Sequence, residues 1–274
     1  MTSLFDAKAS LKYIVAQALR NERDIYHKQP SEIPKIKEKI IAAFAFAEKA
    51  HRGVKREGGL PYIEHPAAVA RMAAKLGAGS NAIIIAILHD VVEDCGIRLS
   101  EIEKRFGAEV AKGLDLVTKP KVIDGRPVFA NKPEYWAGKD QSSDANWALR
   151  NSKFVERVVK SANIDALIVK LFDNFHNLKE ISGLKPAKQM RYLSWIRVFV
   201  QLTRKTSPEM HRRFLELYVP LRKKVGIAKS QRVKMPKVSP QAEEALKQIS
   251  SLLSMGKAHR TYKMPQKLRI RYNK

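Results

Sequence analysis

Apolar residues recur at helical spacing along most of this chain, which restricts it to an all-α fold class. Ile36, Ile40, Phe44 and Ala47 lie on one helical face and predict a helix over about residues 35–52. The same pattern predicts further helices: from His65-Pro66 to Gly77, over 80–94, from Leu99 to Val117 with a break at Gly107, and over about 149–159, 164–175, 187–204, 214–221 and 241–253. We find no internal repeat and no convincing hairpin.

The segment between about residues 119 and 150 lacks helical periodicity. It contains Pro120, Pro127 and Pro133, together with Gly125 and Gly138. Connections of this length are usually functional or disordered. We therefore predict a long loop or lid here.

The run from Asn81 to His89 is almost wholly apolar, and its isoleucines are also compatible with a buried strand. The apolar face continues to Val91 and Val92, which is long for a strand and favours a buried helix. The ionisable pair His89-Asp90 lies near the end of this helix. Burying such a pair is costly without a partner, and a cation would supply one.

Two further segments place a polar group in an apolar context. His65 opens one predicted helix, and Asp173 lies inside another, in LFDNFHNL. Taken singly, these residues and His89-Asp90 have ordinary explanations: a helix start, a buried salt-bridge carboxylate and a common dipeptide. Imidazole and carboxylate groups that converge from rigid elements are typical divalent-cation ligands. The combination predicts a metal site formed by His65, His89, Asp90 and Asp173.

More polar residues share faces with these candidates. Glu93 and Asp94 follow His89 and Asp90 by four residues each, where a carboxylate can act as general base or acid. They could instead simply end the helix, although acids at a helix C-terminus oppose its dipole. Asn177 follows Asp173 by four residues, and His176, three residues on, either supports a ligand or merely packs.

The segment RGVKREGG precedes His65 and is strongly basic. Its Arg52, Lys55 and Arg56 are candidates for binding phosphate or stacking on a base. The alternative is a solvated basic loop.

The formal net charge of +25 predicts attraction to polyanions, although a solvated basic surface is the alternative. From Lys257 to Lys274 the chain has no acidic residue, which makes this tail a candidate RNA or tRNA contact. No apolar run is long enough for a membrane span, and no secretory signal is evident. The single cysteine, Cys95, suits a reducing compartment, so we predict a cytoplasmic protein. The oligomeric state is left open.

Three segments resemble the hydrolase domain of the RelA/SpoT homologues, which also occurs alone in the small alarmone hydrolases. They read AHRGVKREGGLPYIEHPAAVA, AILHDVVEDCGIRLSEIEKRFGAEVAKGLDLVTK and IVKLFDNFHNLK, within roughly residues 36–205. The resemblance implies an all-helical HD-domain bundle over residues 1–205, followed by a basic, partly helical or flexible extension over 206–274.

The resemblance also implies a site and a reaction. One Mn²⁺ would be held by His65, His89, Asp90 and Asp173, with Glu93 and Asp94 as the catalytic acids. Arg56 would pack on guanine and Asn177 would contact the nucleotide. The reaction removes pyrophosphate from the 3′ position of (p)ppGpp, the nucleotide alarmone of the stringent response.

Three positions depart from the family pattern beside the expected nucleotide. Glu57 replaces a lysine, Asn174 replaces an arginine, and Glu180 stands where a base-contacting threonine is common. Other substrates therefore stay open: (p)ppApp, the 2′-phosphate of NADPH, or a pyrophosphorylated tRNA 3′ end, processed by an antitoxin. A non-catalytic, basic nucleic-acid-binding module is an alternative of a different class.

Overall fold

A computed structural model describes residues 6–141, 143–206, 208–226 and 240–255. The helices run in the order α1 (Ala7–Asp24), α2 (Ile33–Ala50), α3 (Glu64–Leu76), α4 (Ser80–Leu88), α5 (Val91–Asp94), α6 (Leu99–Phe106) and α7 (Ala108–Val117). A hairpin of β1 (Lys121–Ile123) and β2 (Arg126–Val128) follows. The chain continues with α8 (Pro133–Ala137), α9 (Asp144–Ser161), α10 (Ile164–Glu180), a 3₁₀ turn (Ile181–Gly183), α11 (Pro186–Thr206), α12 (Pro208–Val225) and α13 (Pro240–Met255). The all-α prediction is confirmed.

Helix α4 forms the centre of the bundle. Its residues from Ala82 to Leu88 are all buried, and it packs against α1, α2, α3, α7 and α10. A helix that is apolar all round can only be stable when other helices enclose it. This explains why an isoleucine-rich run forms a helix here. None of the described helices combines the length and the apolar character that crossing a bilayer requires.

Helix α1 was not predicted from the sequence. The Asp6 side chain caps its first turn, and Ile14 and Ala18 are fully buried. The Asn21 amide donates to the backbone oxygens of Ala74 and Ala78 at 2.9 Å. The helix is thus tied to the end of α3 by contacts between residues far apart in the sequence.

The helix predicted over residues 80–94 is wrong in one respect, because it is two helices. Helix α4 ends at Leu88 and α5 begins at Val91, so His89 and Asp90 form the junction between them. This junction separates the two polar residues from the fully apolar run before them. The predicted break at Gly107 is present, with a positive φ of 90°.

The prediction of a structureless loop over residues 119–150, without a hairpin, is wrong. Lys121 pairs with Val128 and Ile123 with Arg126 in an antiparallel hairpin. Both turn residues, Asp124 and Gly125, have positive φ (49° and 71°). An Asp-Gly pair favours such a two-residue turn, so the signal was present in the sequence.

Helix α12 packs against α11 and α10, although we predicted only a short helix near 214–221 in a basic extension. Its Met210, Phe214 and Tyr218 are buried, and the ring of Phe214 meets Phe175 of α10 with centroids 5.5 Å apart. Ile249 of α13 is also buried. Residues 227–239 and the basic tail 256–274 lie outside the described residues, and the domain division at residue 205 stays a prediction.

Candidate metal centre

The structure brings together the four side chains that the sequence predicts as metal ligands. His65 lies in the first turn of α3, His89 and Asp90 form the α4–α5 junction, and Asp173 comes from the middle of α10. Nε2 of His89 lies 3.2 Å from Nε2 of His65 and 3.1 Å from Oδ2 of Asp90. Oδ1 of Asp173 lies 3.2 Å from Nε2 of His65. Three separate elements therefore place the carboxylates of Asp90 and Asp173 beside the two imidazoles, and the ligand atoms of His65, His89 and Asp90 all lie within 4.8 Å of one another.

The second nitrogen of each imidazole is held away from this point. Nδ1 of His89 lies 2.8 Å from the backbone oxygen of Ala86, which can only accept, so this nitrogen carries the proton. Nδ1 of His65 lies 3.0 Å from Nδ1 of His176. A proton on His65 Nδ1, donated to His176, leaves both Nε2 lone pairs facing the centre. Such hydrogen bonds typically orient metal-bound histidines.

The candidate ligand atoms of His65, His89, Asp90 and Asp173 fit a divalent cation. The Nε2 atoms of His65 and His89 each lie 3.1–3.7 Å from Oδ2 of Asp90 and from Oδ1 of Asp173. All four of these atoms can accept hydrogen bonds. His65, His89 and Asp173 are only 1%, 2% and 6% exposed. Acceptors crowded this closely repel one another unless a positive charge lies between them. Imidazole nitrogen with carboxylate oxygen suits Mn²⁺, Fe²⁺ or Zn²⁺.

Protonation at the centre is set by burial and by neighbouring charges. Burial lowers the pKa of His65 and favours its neutral form. Burial alone would raise the pKa of Asp173, but the charge of the Lys170 ammonium holds it well below its usual value. The pKa of His89 is raised, against the effect of burial, by Asp90 beside it. A bound cation would take the place of that proton.

Lys170 and Asn177 hold both oxygens of Asp173. The buried Lys170 ammonium forms an ion pair with Oδ2, and the Asn177 amide donates to Oδ1 at 2.6 Å. Lys170 also lies over the ring of Phe154, 5.1 Å from its centroid. Sequence reasoning missed Lys170, although its position three residues before Asp173 on a helix places it on the same face.

The acidic pair Glu93 and Asp94 lies beside the four ligands in two different environments. Glu93 accepts from Arg150 at 3.1 Å and pairs with the Lys119 ammonium at 3.4 Å. Asp94 instead accepts from the Tyr62 hydroxyl at 2.6 Å. Burial, and then the charge of Asp90, raises the pKa of Asp94 to about 6. A carboxyl that titrates near neutrality can accept and release a proton.

Tyr62 links this acidic pair to the ligands and was not predicted as a site residue. Its hydroxyl lies 2.9 Å from Oδ2 of Asp90 and 2.6 Å from Oδ2 of Asp94. The ring stacks on His51 with centroids 4.4 Å apart. One hydroxyl proton can satisfy only one of the two carboxylates at a time. The PYIEHP segment gave a signal, since Tyr62 precedes His65 by three residues.

Arg56 and Asn177 come together at the edge of the centre. The Arg56 guanidinium donates to Oδ1 of Asn177 at 2.7 Å and pairs with Glu180 at 2.8 Å. Arg52 and Lys55 do not join them: both are exposed, and neither side chain has a hydrogen bond or ion pair within the described residues. Of the three basic candidates, only Arg56 contacts the site.

His176 adjoins both the metal centre and the Arg56 group. Burial is the main cause that lowers its pKa to about 3, followed by the charges of His65 and Arg56. His176 is therefore neutral near pH 7 and can accept the proton of His65 Nδ1. The sequence left two explanations for His176, support of a metal ligand or simple packing. Its contact with Nδ1 of His65 agrees with support of a ligand.

The three departures from the family pattern have distinct surroundings. Glu57 is exposed and forms an ion pair with Lys188 of α11. Asn174 is buried; its amide donates to the backbone oxygen of Lys170 and its side-chain oxygen accepts from Tyr192. Asn174 therefore ties α10 to α11. Only Glu180 contacts a candidate nucleotide-binding residue.

Comparison with known proteins shows which proteins this chain resembles. Residues 43–205 match the family model described as HD domain. The chain is 35% identical over 153 residues to a probable guanosine-3′,5′-bis(diphosphate) 3′-pyrophosphohydrolase of Synechocystis sp., which covers 56% of this chain and 18% of the relative. It is 28% identical over 191 residues to a probable chloroplastic GTP diphosphokinase of Oryza sativa subsp. japonica. This match covers 70% of this chain and 22% of that relative. The chain thus spans about a fifth of the length of these relatives.

A solved structure described as "A metazoan ortholog of SpoT hydrolyzes ppGpp and plays a role in starvation responses" has a similar fold. The two superpose with a TM-score of 0.52 at 20% identity, covering 69% of this chain and 97% of that one. This likeness supports the helical architecture. Together with the sequence matches, it confirms the resemblance that the three sequence segments predict.

Proposed function

We propose that this chain, which belongs to the HD domain family, is a metal-dependent hydrolase that removes pyrophosphate from the 3′ position of (p)ppGpp. The observation that carries the proposal is the approach of two imidazoles and two carboxylates to one another beside a second acidic pair. The name of the Synechocystis relative supports the choice of nucleotide.

His65, His89, Asp90 and Asp173 would hold the cation, which we propose to be Mn²⁺. A cation bound there would acidify water and polarise a phosphoryl oxygen. The protein's contribution is to fix the ligands: Lys170 and Asn177 orient Asp173, and Ala86 and His176 orient the two imidazoles. Ligands held from outside in this way keep their geometry during the reaction.

Asp94 is the proposed proton carrier. Its carboxylate takes a proton from the attacking water, and the same carboxyl returns that proton to the ribose O3′ as the bond between O3′ and phosphorus breaks. A group with a pKa of about 6 is suited to both transfers near neutral pH. Tyr62 positions Asp94 relative to Asp90 by donating between them.

Charge on the departing pyrophosphate is met by basic residues around Glu93. Lys119 and Arg150 are both held within 3.4 Å of its carboxylate. Glu93 thus fixes two cations at the edge of the centre, where they neutralise a leaving phosphate. Arg56 and Asn177 are the proposed nucleotide contacts, and Arg52 and Lys55 the proposed outer phosphate contacts.

The test is pyrophosphate release from ppGpp by the purified protein with Mn²⁺, compared with other divalent cations. Asp90→Ala should lose both bound metal, measured by elemental analysis, and turnover. Asp24→Ala, a change of the same type at an exposed position of α1, should keep both. Turnover that survives Asp90→Ala contradicts the ligand set, and no release from ppGpp or pppGpp contradicts the substrate.

The identity of the nucleobase is a separate question, because Glu57 and Glu180 place negative charge near Arg56. A panel of ppGpp, pppGpp, ppApp, NADPH and pyrophosphorylated tRNA, assayed side by side, distinguishes guanosine from the alternatives. We further propose a cytoplasmic location, which suits the free thiol of Cys95. Cell fractionation tests it.

A further inference from the structure

A cavity of about 210 Å³ lies between α11 and α12, and none of its lining residues belongs to the metal centre. Arg197 and Gln201 line it from α11, and Leu215, Tyr218, Val219 and Arg222 line it from α12. Arg197 and Gln201 are four residues apart, as are Tyr218 and Arg222, so each pair lies on one face of its helix. The two helices therefore present polar side chains to a common space with apolar walls.

Three polar groups of this cavity lack a partner among the described residues. Tyr218 is 6% exposed and its hydroxyl has no hydrogen bond. The side-chain oxygen of Gln201 is buried and equally unsatisfied. Arg197 is 9% exposed, and within the described part of the chain its guanidinium has neither a hydrogen bond nor an ion pair. Buried polar groups in native proteins are almost always paired, so three together point to a missing ligand.

The electrostatic surroundings specify the charge of that ligand. None of the described residues that line the cavity is acidic. Burial raises the pKa of the Tyr218 hydroxyl, while the positive charges of Arg197 and Arg222 act in the opposite direction. The cavity is therefore electropositive. A guanidinium that is nine-tenths buried needs an anion far more than it needs a water molecule.

We propose that this cavity binds a short aliphatic carboxylic acid that carries a hydrogen-bond donor beside the carboxylate. The planar guanidinium of Arg197 matches a carboxylate with two parallel hydrogen bonds. The Tyr218 hydroxyl donates to the same group, and the Gln201 oxygen accepts from the adjacent donor. Leu215 and Val219 cover the hydrocarbon part.

A phosphate group fits the same cavity less well. A phosphate dianion has three oxygens that each need donors, whereas the unpaired donors here are one guanidinium and one hydroxyl. The apolar walls would also remove water from a strongly hydrated ion without replacing its hydrogen bonds. The balance of donors, acceptor and apolar surface thus favours the organic acid.

Isothermal titration calorimetry of the full chain with 2-hydroxy-3-methylbutanoate tests the proposal. We expect saturable binding that Arg197→Gln weakens at least about ten-fold and Tyr218→Phe a few-fold, since each removes a donor to the carboxylate. Arg204→Gln, an exposed change on the same helix, should leave it unchanged. The neutral 3-methylbutanamide should not bind detectably.

Thermal unfolding without ligand separates a loss of binding from a loss of fold. Tyr218→Phe should unfold at no lower a temperature than the original protein, because the hydroxyl it removes has no partner. The proposal is overturned if the acid does not bind, if the amide binds equally well, if inorganic phosphate binds more tightly, or if the folded Tyr218→Phe and Arg197→Gln variants bind normally.

Discussion

At the level of single residues, Tyr62 contacts both Asp90, a proposed metal ligand, and Asp94, the proposed proton carrier. The Tyr62 hydroxyl donates a hydrogen bond to Asp94, and this hydrogen bond stabilises the charged form of the Asp94 carboxylate. In the proposed reaction Asp94 must be ionised to take up a proton, so activity should fall as pH decreases through about 6. The low-pH side of the pH–activity profile is called its acid limb. The pH at which this acid limb lies therefore reports on the hydrogen bond between Tyr62 and Asp94.

Tyr62→Phe should lower kcat by about ten-fold and move the acid limb to higher pH. Loss of the donor removes a contribution that lowers the pKa of Asp94, so the carboxyl stays protonated to a higher pH. A hydrogen bond to a charged group is worth about 1.5–3 kcal/mol, enough for the loss in rate. The measurement is kcat and kcat/KM against pH; Tyr13→Phe, in α1, serves as control. An unshifted acid limb would exclude Tyr62 as the positioning residue.

Glu180→Gln should lower the KM for ppGpp by up to about five-fold and change kcat less. The carboxylate of Glu180 neutralises Arg56 at 2.8 Å and adds negative charge where an anionic substrate binds. A partly exposed ion pair is worth up to about 1 kcal/mol, which sets the size of the effect. Steady-state kinetics check it, with Glu103→Gln, the same change at an exposed position of α6, as the matched control. An increase in KM would instead indicate that Glu180 positions Arg56 for the substrate.

At the level of elements, the close approach of α7 to α4 depends on Gly113. A Cβ at this position would lie 2.2 Å from Cδ1 and 3.0 Å from Cγ1 of Ile85, which is 1% exposed. The residue thus allows α7 to cover the central helix whose end carries His89.

Gly113→Ala should lower the free energy of unfolding by about 1 kcal/mol. Overpacking costs about 1–3 kcal/mol, which exceeds the gain of about 1 kcal/mol from the better helix propensity of alanine. Ile85→Val removes Cδ1, the atom that the new Cβ would overlap. The double variant, Gly113→Ala with Ile85→Val, should therefore be more stable than the sum of the two single changes predicts. Denaturant unfolding measures all three variants. Gly183→Ala, where a Cβ meets nothing within 4 Å, is the control and should leave the free energy of unfolding nearly unchanged. If the effects of Gly113→Ala and Ile85→Val simply add in the double variant, the steric explanation is contradicted.

At the level of the whole molecule, the charge of +25 is not explained by the metal centre. The tail from Lys257 to Lys274 contributes seven lysine and arginine residues and lies outside the described residues. The prediction that it contacts RNA rests on charge alone.

Removing residues 257–274 should weaken RNA binding and leave hydrolysis of free nucleotides unchanged. If each basic residue meets one phosphate, the slope of log K against log salt becomes shallower by up to about 5. Binding titrations at several salt concentrations measure this, and ppGpp turnover of the same protein is the control. An unchanged slope would place the RNA contact elsewhere or exclude it.

The amino-acid sequence by itself determined the helical class and most helices, and it proposed His65, His89, Asp90 and Asp173 as metal ligands. Those signals are local: helical periodicity, polar groups in apolar segments, and spacings of three or four residues. The sequence also contained the Asp124-Gly125 turn signal, which the surrounding prolines and glycines obscured. Helix α1 was missed because its burial depends on α3, whose contact residues lie more than fifty positions away.

Only the tertiary structure decided which of the candidates act together. It placed Arg56 against Asn177, 121 residues away in the sequence, and left Arg52 and Lys55 exposed. It also added Lys170 and Tyr62 to the site. Within the described residues, it left the Tyr218 hydroxyl and the Arg197 guanidinium without partners in the cavity between α11 and α12. The physical reason is that charge pairing, burial and pKa depend on distances between elements, and local sequence patterns do not encode those distances.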